Sequence, residues 1–173
     1  DEIEEAFRSF SDLGIDEQLW DSEGKEVDNF VVKKLFARYP DYFRKNILGK
    51  DKFLTLRVPN PEVEKDEGKI LLETLHSIPR NFDIAKKFYH KDLAPIFEVF
   101  LPMCSSEKSI IRVHEYYKKF IIKNQHLPIY DKDISIAQWL GTLNPKDIRV
   151  TPLFETKEAM LNADISVAKY IRF

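Results

Sequence analysis

The chain has 173 residues, 43% of them hydrophobic, enough for one packed core. Its 27 basic and 29 acidic residues leave a net charge of −2, which gives no electrostatic basis for binding nucleic acid or an anionic membrane. A single cysteine, Cys104, excludes an intrachain disulfide and a cysteine-based zinc site, and no apolar run approaches the roughly 18 residues of a membrane helix, so a soluble, cytoplasmic protein is expected.

Ile3, Ala6, Phe7 and Phe10 recur at helical spacing, which predicts an opening helix that stops at Gly14. A strand is expected over Glu17 to Asp21, ending in Trp20 and Asp21. The polar stretch Ser22 to Asp28 reads as a loop into a second helix, whose apolar positions run from Phe30 to Tyr39 and continue past Pro40 through Tyr42 and Phe43. Lys52 to Val58 is apolar and β-favouring, and Pro59, Asn60 and Pro61 end it with turn chemistry. A helix follows over Lys69 to Ser77, Pro79 punctuates it, and a separate helix is expected over Asn81 to His90.

Pro95 to Leu101 is the most apolar strand, with a turn at Met103 to Ser106. Ser105 or Ser106 is placed to cap a long helix bearing Ile110, Val113, Tyr117 and Ile121. Pro128 to Leu143 is the least regular part, with a short amphipathic element around Ile134 to Leu140. Arg149 to Phe154 forms a fourth strand, and Thr156 caps a closing helix to Phe173. Four strands separated by helices predict an α/β fold with parallel pairing in a single domain over 1–173. Because Asp1 and Phe173 both lie inside amphipathic patterns, a piece of a longer domain is expected.

In a parallel α/β fold the C-terminal strand ends share one face, where substrates and metals bind. Here those ends carry Asp21 with Trp20, Arg57, the turn after Leu101, and Glu155. Arginine suits bidentate recognition of a phosphate or carboxylate, and carboxylates suit a hard divalent cation. Each residue also has a structural alternative. Glu155 can be a helix-start residue favoured by the dipole, Arg57 can pair with a surface acid, and Asp21 can cap its loop. Glu98, inside an apolar strand, is either paired or at a polar centre. The four histidines show no metal-binding spacing, Cys104 has no evident base, and no phosphate-binding glycine motif is present.

Five segments taken together resemble the archaeal-type phosphoenolpyruvate carboxylases. They are LWDSEGKEVD from Leu19, FLTLRVPNP from Phe53, HSIPRNFDIA from His76, PIFEVFLPMCSS from Pro95 and VTPLFET from Val150, in the family's order. The resemblance implies part of a (β/α)8 TIM-type barrel, roughly its first half, in a cytoplasmic homotetramer. It implies carboxylation of phosphoenolpyruvate by bicarbonate to oxaloacetate and inorganic phosphate, with Mg²⁺ or Mn²⁺. In the implied scheme bicarbonate attacks the phosphoryl group, and the resulting carboxyphosphate releases carbon dioxide to a metal-bound enolate of pyruvate.

Carried over by motif, Glu155 of PLFET matches a metal-ligand glutamate and Arg57 a substrate-phosphate arginine. Trp20 matches a tryptophan in a WxGGDxDG-type loop, which here reads WDSEGKEVD, so the roles of Trp20, Asp21 and Lys25 in substrate binding stay open. A His-Pro motif and a Ser-Asp motif with a second carboxylate ligand belong to the family and are absent from these 173 residues, so this polypeptide alone is expected to be inactive. Two alternatives stand beside this reading: another metal-dependent phosphoenolpyruvate or pyruvate barrel enzyme, and a non-catalytic half-barrel partner protein.

Overall fold

The computed structural model describes residues 1–21 and 28–173. Most of the loop expected over Ser22 to Asp28, with Lys25, lies outside the described residues.

Helix α1 (Glu2–Ser11) starts where the Asp1 carboxylate accepts the Ile3 amide at 2.9 Å, and acidic residues in its first turn complement the helix dipole. It buries Ile3, Ala6 and Phe10, as the spacing predicts. Strand β1 (Glu17–Asp21) follows, then α2 (Val31–Arg38) and α3 (Pro40–Lys45), with Pro40 opening the latter because its missing N–H is not needed there. After β2 (Phe53–Arg57) comes one long helix, α4 (Gly68–Tyr89), with Pro79 inside it. Two helices were expected here. Proline costs a helix interior about 3 kcal/mol, but Leu71, Leu75, Ile78, Phe82 and Ala85 form one buried stripe across the break. Burying such side chains contributes about 1.5–3 kcal/mol each, which outweighs the loss.

Strand β3 (Glu98–Leu101) precedes α5 (Glu107–Tyr116), which widens into a π turn over Tyr117–Ile122 and tightens into a 3₁₀ turn over Lys123–His126. Tyr117 is fully buried, and its hydroxyl donates to the Pro145 carbonyl at 2.7 Å. The short helix α6 (Ile136–Leu140) has a capping box from Ser135 and Gln138. Strand β4 (Arg149–Pro152) leads to α7 (Lys157–Leu161), capped by the Thr156 hydroxyl at 3.1 Å from the Ala159 amide, and to α8 (Ala163–Arg172). The single closing helix expected from Thr156 is thus divided at Asn162.

All strand pairs are parallel, and the sheet order is β1-β2-β3-β4. The α/β class read from the sequence therefore holds, with neighbours in the chain also neighbours in the sheet. The sheet is open rather than closed, so the described residues form no barrel by themselves. Trp20, Leu54, Leu56, Val99, Leu101 and Val150 are buried in the core beneath the helices. Alternation along each strand sends Asp21, Arg57, Glu98, Phe100 and Thr151 to the opposite face.

Candidate functional site at the strand ends

Parallel register brings Asp21 directly beside Arg57, one at the end of β1 and one at the end of β2. Their side chains meet at 3.4 Å, from Arg57 Nη1 to Asp21 Oδ2, and both are partly open to solvent. This exceeds the about 2.7–2.9 Å of a tight charge-assisted bond, so Asp21 holds the guanidinium loosely. The ladder continues past Arg57, with the Val58 amide donating to the Phe100 carbonyl at 3.0 Å, which fixes the strand end that carries the arginine.

Trp20 precedes Asp21 and therefore lies on the other face of the sheet, 9% exposed and part of the hydrophobic core. The structure brings Arg57 and Asp21 together and places Trp20 behind them.

Glu155 lies beyond β4, after Leu153 and Phe154, and is exposed. It sits immediately before the Thr156 cap, outside α7. The turn after β3 is tied to this segment: the Cys104 amide donates to the Leu153 carbonyl, and the Leu153 amide to the Leu101 carbonyl, each at 2.9 Å. Cys104 is fully buried, and its thiol donates to the Leu101 carbonyl at 3.2 Å. Burial pushes its pKa up to about 12, and the carboxylates of Glu62 and Glu155 push in the same direction. The thiol stays protonated at neutral pH, so it offers no nucleophile.

Glu98 is both paired and on the sheet face opposite the hydrophobic core. It accepts from the Thr151 hydroxyl at 3.2 Å and faces Arg149 at 3.9 Å. Glu98 and Arg149 line, with Glu17, Phe53, Thr55 and Phe97, a hollow of about 200 Å³ nearer the N-terminal strand ends. His114 bonds Asp147 at 2.8 Å just ahead of β4, at the opposite end of that strand from Glu155. Among the described residues no group of three or more His, Cys, Asp or Glu side chains is gathered to hold a metal ion. Glu155 can therefore supply one oxygen ligand, not a cage.

Sequence reading gives Asn60 only as part of a turn between two prolines, yet it is 1% exposed and bonded on every side. Its Nδ2 donates to the carbonyls of Pro102 at 2.9 Å and Met103 at 3.3 Å, and its Oδ1 accepts from the Glu62 amide at 3.1 Å. Glu62 in turn accepts from the Ser109 hydroxyl at 2.6 Å and pairs with Arg112. The available signal was a polar residue fixed between Pro59 and Pro61.

Residues 1–173 match the family model described as phosphoenolpyruvate carboxylase. The chain belongs to the phosphoenolpyruvate carboxylase family. It is 54% identical over 172 residues to the phosphoenolpyruvate carboxylase of Methanospirillum hungatei, covering 99% of this chain and 36% of that protein. It is 53% identical over 171 residues to that of Methanothermobacter thermautotrophicus, covering 99% and 35%, and 55% identical over 171 residues to that of Pyrococcus horikoshii, covering 99% and 36%. This carboxylase-family chain thus spans about a third of the length of the curated relatives it matches. Among its described residues no helix is long and apolar enough to cross a membrane.

Proposed function

We propose that these residues form part of a phosphoenolpyruvate carboxylase, which joins bicarbonate to phosphoenolpyruvate and yields oxaloacetate and inorganic phosphate. The observation that carries the reading is the family match over the whole chain, with Asp21 and Arg57 at the C-terminal ends of β1 and β2 and Glu155 just beyond that of β4. The sequential, all-parallel strand order, with helices between the strands, supports a (β/α)8 barrel completed by the rest of a family-length chain. Assembly as a cytoplasmic homotetramer belongs to the same reading.

Bicarbonate oxygen attacks phosphorus, the bond from phosphorus to the enol oxygen breaks, and carboxyphosphate and the enolate of pyruvate result. Carboxyphosphate then releases carbon dioxide and phosphate, and the enolate carbon bonds the carbon dioxide. Arg57, at the end of β2, holds the phosphoryl oxygens, where a fixed positive charge stabilises the transferring group. Asp21 keeps the guanidinium aimed between turnovers, and Trp20 supports both strand ends from the core.

An exposed carboxylate is the oxygen donor that a hard cation prefers, and Mg²⁺ commonly takes only one or two carboxylates together with water and substrate oxygens. Glu155 fits as one such ligand for Mg²⁺ or Mn²⁺. The cation, when bound, supplies charge stabilisation at the enolate oxygen.

The test uses the full-length protein and measures oxaloacetate. The wild type is expected to form it only with bicarbonate, and Glu155→Ala to lose about a hundredfold or more in kcat, the scale of losing one electrostatic stabiliser. Unchanged turnover in Glu155→Ala would remove its role as a metal ligand. Absence of oxaloacetate from the wild type would overturn the reaction itself. Residues 1–173 alone are expected to release no phosphate from phosphoenolpyruvate.

A further inference from the structure

The turns after β2, β3 and β4 are joined by side-chain and backbone hydrogen bonds beyond the last ladder pairs, and Asn60 is the side chain that closes the first of these joints. Its amide reaches the carbonyls of Pro102 and Met103, 42 and 43 residues away in the chain. The next residue, Cys104, donates its backbone amide to Leu153, two residues before Glu155. Arg57 lies three residues before Asn60, on a strand end already fixed by the bond from Val58 to Phe100.

Only a primary amide meets this arrangement. Two carbonyls need two donors, and the Glu62 amide needs an acceptor on the same side chain. Aspartate has no donor, and serine has one. The surroundings are set to keep the joint closed. Pro59 and Pro61 restrict the backbone on either side of Asn60. The Asn60 amide donates to Glu64 Oε2 at 2.7 Å, and Met103 is held at φ +50°, a conformation uncommon outside glycine.

We infer that Asn60 is a positioning residue, which sets the spacing between the phosphate-holding Arg57 and the metal-ligating Glu155 by fastening the β2 turn to the β3 turn that carries the β4 end. This rests on the roles proposed above for Arg57 and Glu155. Removing the amide leaves the ladder bond from Val58 to Phe100 in place but unfastens the β2 turn beyond it, so Arg57 and Glu155 are held less closely at one separation.

Gln125 provides the matched control. It is 2% exposed, and its amide donates to the carbonyls of Ile122 and Leu143 while its oxygen accepts the Leu143 amide. It makes the same kind of joint, but after α5 rather than at the strand ends. In the full-length protein Asn60→Ala is expected to lower kcat/KM for phosphoenolpyruvate by about a hundredfold, the scale of an ångström-sized misplacement. Direct titration of Mn²⁺ without substrate, read by electron paramagnetic resonance, is expected to show several-fold weaker binding.

Gln125→Ala should lose thermal stability similarly and keep both quantities within about twofold. Should Asn60→Ala not fold, Asn60→Ser, which retains one donor, is expected to give the same two losses in smaller measure. A folded Asn60 variant with wild-type kcat/KM and Mn²⁺ affinity would overturn the inference, as would equal losses in Gln125→Ala. A wild type that makes no oxaloacetate would count against the reaction instead, and the Mn²⁺ comparison would still decide whether Asn60 positions the ligand.

Discussion

Gly49 gives the sharpest test of how stability and chemistry are divided between the two ends of the sheet. It lies before β2 at φ +94°, its amide donates to Lys52 at 2.7 Å, and its neighbour Leu48 is fully buried. A Cβ added there would stand 2.1 Å from the Ala94 carbonyl oxygen, 3.0 Å from its carbon and 3.2 Å from Pro95 Cα. All three are backbone atoms, so no side chain can swing aside.

The strained φ costs about 1–3 kcal/mol. Forcing the segments before β2 and β3 apart adds about 1–3 kcal/mol, as overpacking does elsewhere. Gly49→Ala should therefore destabilise by about 2–6 kcal/mol, whereas Gly14→Ala, at φ +68° with nothing within 4 Å, carries only the about 1–2 kcal/mol of left-handed strain. Thermal unfolding of the full-length protein by circular dichroism should place Gly49→Ala clearly below Gly14→Ala. The folded Gly49→Ala protein should keep kcat/KM within about twofold, because Gly49 and Ala94 precede their strands and the proposed chemistry follows them. Equal midpoints for the two variants would refute the steric argument, and a large loss of kcat/KM in the folded protein would refute the division between ends.

Arg57→Lys keeps the charge but gives up the planar fork, so KM for phosphoenolpyruvate should rise by about 10- to 100-fold, the worth of a charge-assisted hydrogen bond. Steady-state kinetics with Asp21→Ala alongside checks it, since an arginine that serves only to pair with Asp21 would leave both variants near wild type. Cys104 should resist alkylation by iodoacetamide at pH 8 in the folded protein and react once denatured, as read by mass spectrometry. Rapid labelling of the native thiol would contradict its burial.

Above pH 9 stability should fall. Cys104 and Tyr89 have folded pKa values raised by burial, each to about 12 from ordinary values of 9.0 and 10.0, so the unfolded chain loses those protons first. Each contribution is complete below its ordinary value and is lost as pH rises toward 12. Cys104→Ala should flatten the slope of thermal midpoint against pH, and an unchanged slope would remove the thiol from the account.

The strands β2 and β3 were legible because they lie in apolar runs closed by turn residues, and β1 was read to its limits, Glu17–Asp21. The runs expected over Pro95 to Leu101 and Arg149 to Phe154 extend beyond β3 and β4. Pro79 misled because local propensity speaks against a helix while the buried stripe from Leu71 to Ala85 comes from tertiary packing. The break at Asn162 was hidden for a related reason. Its side chain donates to the Glu158 carbonyl at 3.0 Å and competes with the helix ladder, a choice that composition does not reveal.

At the site, a motif groups Trp20 with Asp21 because they are adjacent, and the two-residue period of a strand sends them to opposite faces. The pairing of Asp21 with Arg57 needed the register of two strands 36 residues apart. Asn60 was further out of reach, since its partners at Pro102 and Met103 are defined only when two separate turns are in place.

The polarity of the two sheet faces then decides where ligands can be met. Beneath the helices the strands contribute Leu54, Leu56, Val99, Leu101 and Val150, all at most 4% exposed, and a charge there would be desolvated without a partner. On the other face Thr55 donates to Glu17 at 2.7 Å and Thr151 to Glu98 at 3.2 Å, with Arg149 beside Glu98. Toward the C-terminal ends the same face carries Asp21 with Arg57.

Near the N-terminal ends the acids are thus satisfied by neighbouring hydroxyls, which makes a polar but self-contained layer. At the C-terminal ends the contact between Arg57 and Asp21 is long, and Glu155 is exposed. A face whose acids are paired at one end and whose Glu155 is exposed at the other supports the proposed placement of an anionic substrate and its cation at the latter. The charge on Glu98 therefore belongs to the self-contained layer, whereas in the function proposed above Arg57 and Glu155 are the groups that meet the ligand.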